Sequence, residues 1–87
     1  MWRVEFDRDA ARDLRKLATT AQRAILRFLR ERVATTDDPR RFGKPLVGDL
    51  KGLWRYRIGD YRVVARIEDD RLLVLVLTIG HRRDVYR

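Results

Sequence analysis

The sequence predicts an α+β fold in the order β-α-α-β-β-β, a two-helix hairpin packed on a small, antiparallel-rich twisted sheet. Three observations carry this prediction. Apolar residues recur at helical spacing between 6 and 33, and alternate at strand spacing in the second half of the chain. The pair Gly59-Asp60 then joins two of the alternating runs, with glycine where a type II′ hairpin turn requires it. At 87 residues the chain holds one domain, 1–87. A domain of this size buries only about 60% of its unfolded surface, so its core is thin.

Each element has its own signal. Residues 2–6 alternate and form a first strand. Phe6, Ala10, Leu14 and Leu17 recur at helical spacing behind Asp7, which suits an N-cap. Thr19-Thr20 interrupts that pattern. A second helix is expected over 21–33, burying Ala21, Ile25, Leu29 and Phe28, with Arg23, Arg27, Arg30 and Arg32 on its polar side. Residues 36–52 hold both prolines and three of the five glycines, which predicts a loop. Strands follow at 53–58, 61–67 and 72–79, with Asp69-Asp70 as a second turn. The run 72–77 is apolar at every position, which predicts a central strand covered on both faces.

Composition narrows the chemistry. There is no cysteine, serine or asparagine, so disulfides, thiolate chemistry, Cys-ligated metals and a Ser-His-Asp triad are excluded. His81 is the sole histidine, so no metal site and no cofactor is expected. The N-terminus lacks the apolar run of a signal peptide, and no segment approaches the ~18 apolar residues of a membrane span. A cytoplasmic protein is expected. Lys and Arg total 21 against 13 Asp and Glu, a net charge of +8, and 18 of the bases are arginine. That surplus calls for a polyanionic partner, nucleic acid first and anionic lipid second.

The Gly59-Asp60 turn fixes a register that locates the arginines. Ile58 faces Tyr61, Arg57 faces Arg62, Tyr56 faces Val63, and Arg55 faces Val64. Because side chains alternate, Trp54, Tyr56, Ile58, Tyr61, Val63, Ala65 and Ile67 share the core face. Arg55, Arg57, Arg62 and Arg66 share the other. Like charges directly opposite cost up to ~1 kcal/mol, and no acid is expected in register to neutralise these. The face is either a solvated surface or an anion site whose ligand relieves the repulsion. The tail from Gly80 is the nearest segment able to cover it, bringing His81, Arg82, Arg83 and Tyr86 toward the arginines.

Such a cluster suits RNA cleavage, because RNA carries its own nucleophile, the 2′-hydroxyl. The reaction needs a proton acceptor, a donor for the leaving 5′-oxygen and cations for the charge developing on phosphorus. His81 has the most suitable ordinary pKa, near 6.5. Tyr86 can act only if arginines stabilise its phenolate.

The segments GLWRYRIGDYRVV at 52–64 and VLTIGHRRDVY at 76–86, with FDRDAARDLRKL at 6–17, resemble the RelE branch of the RelE/ParE toxin superfamily. The likeness covers nearly the whole chain and is weakest over 35–48. It implies the same β-α-α-β-β-β fold and a toxin of a bacterial toxin–antitoxin module that cuts mRNA in the ribosomal A site without a metal. It also implies residue roles: Arg55 and Arg57 hold the RNA, Arg62 stabilises the scissile phosphate, Arg82 is the leaving-group acid, and Tyr86 the base. Arg55 and Arg57 stand where the best-known member has lysines, and arginine is a poor proton acceptor. The tail is one residue shorter between arginine and tyrosine, which leaves Arg83 a rival to Arg82 and His81 a rival to Tyr86. The implied partners are a cognate antitoxin protein, mRNA and the small-subunit ribosomal RNA. Two other functions fit the same fold: a non-catalytic gyrase inhibitor of the ParE type, and a basic nucleic-acid-binding module without chemistry.

Overall fold

A computed structural model describes residues 1–83. Two helices lie on one face of a five-stranded mixed sheet. Strand β1 (Arg3–Phe6) leads into helix α1 (Arg8–Arg15), whose N-terminus is capped by Asp7 accepting from the Ala10 amide at 2.9 Å. Helix α2 spans Thr19–Phe28 and continues as a π-helical turn, Leu29–Val33. The expected break at Thr19-Thr20 falls earlier, at 16–18. There the Gln22 side-chain amide donates to the Leu17 carbonyl at 2.8 Å and closes the helix hairpin. Leu29 and Val33, at the two ends of the π turn, are both buried.

The remaining strands are β2 (Gly43–Pro45), β3 (Trp54–Ile58), β4 (Tyr61–Glu68) and β5 (Leu73–His81), arranged β1-β5-β4-β3-β2. Only β1 and β5 run parallel; the other pairs are antiparallel. Strand β2 corrects the expectation of a loop throughout 36–52. Its three residues carry no apolar alternation, and it is held in the sheet by β3, through the pairs Gly43 with Tyr56, Lys44 with Arg55 and Pro45 with Trp54. It is an edge strand, which is where a proline is tolerated. Gly43 is needed for close approach: a Cβ there would sit 3.0 Å from the Arg55 carbonyl oxygen and 3.1 Å from the Tyr56 ring.

The β3–β4 register is the expected one, from Trp54 opposite Ala65 to Ile58 opposite Tyr61. Gly59 has φ +58° and Asp60 does not share the left-handed region, as a type II′ turn requires. Strand β5 does lie inside the sheet, between β1 and β4. A bulge explains its unbroken apolar run: Val64 pairs with Thr78 but Ala65 pairs with Val76, leaving Leu77 as the extra residue. Val74, Val76 and Ile79 are therefore all buried on the helix side. Leu75 and Leu77 are half-buried on the far side. The β4–β5 connection is a 3-10 turn, Asp69–Arg71, closed by Leu72 at φ +49°.

The core packs Ala10, Ile25, Leu29 and Val33 against Tyr56, Val63, Ala65, Val74, Val76 and Ile79. Phe28 bridges the layers, touching Phe42 and Tyr56 at ring distances of 6.3 and 5.9 Å. Among the described residues no helix is long and apolar enough to cross a membrane.

Candidate nucleic-acid interface

Alternation along β3 and β4 sends Arg55, Arg57, Arg62 and Arg66 to the face away from the helices, and β2 adds Lys44 to it. Lys44 and Arg55 are direct cross-strand partners, and so are Arg57 and Arg62. Two like-charged pairs thus stand in adjacent rows, each costing up to ~1 kcal/mol.

The cations differ in their surroundings. Arg62 is only 8% exposed. Its Nη1 donates to the carbonyls of Gly59 and Tyr61, at 3.1 and 3.0 Å. These two carbonyl dipoles orient the guanidinium. Arg57 is exposed, and no acid pairs with it among the described residues. Arg55 is half-buried, and its Nε is buried with no acceptor among the described residues. An unmet buried donor costs about 1–3 kcal/mol. Arg66 stands apart. The strand runs one residue past the expected end, so Glu68 reaches the same face and accepts from Arg66 Nε at 3.1 Å. Glu68 also pairs with Arg71 at 3.1 Å, and the Arg66 hydrogen bond holds its carboxyl below the ordinary value. The expectation that no acid neutralises the group is corrected at Arg66.

The tail residues divide. His81 pairs with Tyr61, and the two rings meet edge-on at 5.9 Å. That is the helix side of the sheet, so the structure does not bring the imidazole to Arg57 and Arg62. Its Nδ1 accepts from the Arg83 amide at 3.3 Å, which is a turn contact. Arg82 is exposed, and its backbone amide donates to the Asp60 carbonyl at 2.8 Å, rooting the tail at the hairpin turn beside Arg62. Tyr86 lies outside the described residues, as does any cover that residues 84–87 give the basic face.

Sequence reasoning missed two contributors. Lys44 was hidden because β2 was hidden. Arg40 supports β3 from the loop before it: its guanidinium grips the Asp69 carboxylate at 3.0 and 2.6 Å, touches Asp38 at 3.3 Å and lies 5.7 Å from the Trp54 ring centroid. This guanidinium holds the Asp69 carboxyl below its usual range. One residue before it, the Pro39 carbonyl accepts from the buried Tyr56 hydroxyl at 2.8 Å, and burial pushes that phenol above its usual value. The loop is therefore pinned at the start and the middle of the strand that carries Arg55 and Arg57.

Guanidiniums in this arrangement can clasp phosphate oxygens bidentately. Residues 4–86 match the profile of a family described as the ParE toxin of the type II toxin–antitoxin system parDE. Toxin RelG of Mycobacterium tuberculosis is 38% identical over 84 residues, covering 97% of this chain and 94% of that protein. Toxin RelE of the same organism is 38% identical over 86 residues, covering 99% and 87%. The fold superposes on a chain of the toxin–antitoxin complex RelBE2 of that organism with a TM-score of 0.85 at 36% identity, covering 95% of this chain and 93% of that one.

Proposed function

The chain belongs to the RelE/ParE family of type II toxin–antitoxin toxins, and from that premise we propose that it is a metal-independent endoribonuclease cutting mRNA in the ribosomal A site. The observation that supports this reading best is the Arg57–Arg62 pair, set in register on the face away from the helices with Arg55 and Lys44 beside it. Guanidiniums grouped this way suit the oxygens of a phosphate.

In this proposal the substrate's 2′-oxygen attacks the adjacent phosphorus while the bond to the 5′-oxygen breaks, giving a 2′,3′-cyclic phosphate and a free 5′-hydroxyl. Arg62, held by its two carbonyls, stabilises the charge on the non-bridging oxygens. Arg55 and Arg57 hold the strand. Tyr86 takes the 2′-hydroxyl proton, its phenolate stabilised by the guanidiniums. Arg82, rooted at the hairpin turn, serves the leaving oxygen, with Arg83 as the alternative. His81, on Tyr61's side of the sheet, holds the turn rather than moving the proton. The ribosome supplies the alignment that a site without a strong base needs. The proposed partners are mRNA, small-subunit ribosomal RNA and a cognate antitoxin, in the cytoplasm.

A second reading, a non-catalytic gyrase inhibitor, is favoured by the ParE description of the matched family. Parallel assays separate the two. The purified chain is expected to stop synthesis in a reconstituted translation system and to leave gyrase supercoiling unaffected. Inhibited supercoiling with normal translation would reverse the assignment.

A further inference from the structure

At the β2 end of the basic face lies a cleft of about 390 Å³ lined by Lys44, Pro45, Leu46, Val47, Leu50 and Arg55. Its outer wall is a short closed loop. The Leu46 amide donates to the Leu53 carbonyl at 2.9 Å across the loop's neck, and the chain is turned by Gly48, at φ +64° at the start of a 3-10 turn (Gly48–Leu50), and by Gly52, at φ +97° beyond it. This holds Val47 out at 83% exposure and Leu50 at 37%. Large apolar side chains held in solvent beside two cations are an unusual pairing.

We propose that this cleft binds one base of a single-stranded RNA, whose phosphate sits on Lys44 and Arg55; the inference rests on the nuclease reading above. The chemistry of the walls selects the ligand. Pro45, Leu46, Val47 and Leu50 offer nothing to an anion, while the charged heads of Lys44 and Arg55 offer nothing to an apolar ligand. A nucleotide satisfies both, with a flat base on an anionic link. The geometry is consistent with the rest of the face. The Lys44–Arg55 row lies two residues along β3 from the Arg57–Arg62 row, about 6.6 Å, the reach of one nucleotide in an extended strand. A strand with its scissile phosphate at Arg62 then places a neighbouring base in the cleft, so Val47 and Leu50 touch the sequence being read.

The test measures binding, not cleavage. The full chain is titrated with a short 2′-O-methyl RNA, which cannot be cut, and with an abasic strand of the same length. Val47→Ser and Leu50→Ala are expected to weaken binding of the base-bearing strand about three- to tenfold and leave the abasic strand unchanged. Lys44→Gln should weaken both and reduce the salt dependence by about one ion. Wild-type affinities in the variants, equal losses on both strands, or no RNA binding by the wild type would overturn the proposal. Losses confined to binding of the antitoxin encoded beside this chain would also overturn it and assign the cleft to a protein partner. The expected losses, in a wild type that cuts no mRNA on ribosomes, would refute the nuclease reading and leave the cleft assigned.

Discussion

Replacing Arg57 by glutamine separates two consequences of crowding charge on the sheet. Arg57 is exposed and stands directly opposite Arg62, with no acid paired to it among the described residues. Its removal relieves a like-charge pair worth a few tenths up to ~1 kcal/mol and takes nothing from the core. For a domain of this length one kcal/mol moves the melting temperature by about 5 °C, so the variant should melt about 2–5 °C higher. The gap should shrink between about 0.01 M and 1 M salt, as the screening length falls from about 30 to 3 Å. Sulfate, a mimic of the ligand, should stabilise the wild type more than the variant. Cleavage of mRNA should fall at least about tenfold, or ~1.4 kcal/mol. The assay is thermal unfolding followed by circular dichroism at both salt levels. A variant that melts at or below the wild type at low salt would show that the two arginines do not repel, and the argument for an anion site would fail with it.

Other outcomes follow from the same contacts. Arg62→Ala should lower cleavage by about 10²–10³, read by single-turnover kinetics; losing the donor to the Gly59 and Tyr61 carbonyls should cost at least about 1–3 kcal/mol in urea unfolding. Asp69→Asn should melt below the wild type at neutral pH. Arg40 depresses the folded pKa of Asp69, so its contribution is present above the ordinary carboxylate value of about 4 and lost as pH falls through the depressed value. The two melting curves should therefore converge in acid. Tyr56→Phe leaves the Pro39 carbonyl buried without its donor and should cost about 1–3 kcal/mol in urea unfolding.

What the sequence revealed and what it hid have physical reasons. The β3–β4 register was legible because Gly59-Asp60 admits few turn types, and period-two alternation then assigns every side chain from Trp54 to Ile67 to a face. Asp7 was legible as a cap because its partner is three residues away. Strand β2 was not, since three residues including a proline have no pattern of their own and are held in the sheet by β3. Lys44 went unseen with it. The bulge at Leu77 was hidden inside a run of apolar residues that reads the same in either phase. Arg66 was assigned to the anion site because its partner, Glu68, lay just past the expected end of the strand. His81 follows β5 on the side of Tyr61, and only the β4–β5 register reveals which side that is.

The central claim is that this chain cuts mRNA on the ribosome with groups on its basic face. Primer extension on a defined mRNA in a purified translation system, with and without ribosomes, tests it most directly. The account predicts cuts at A-site codons by the wild type, only when ribosomes are present, and none by Arg62→Ala or Tyr86→Phe. An uncut message beside a wild type that still arrests growth, or undiminished cutting by both variants, would contradict it.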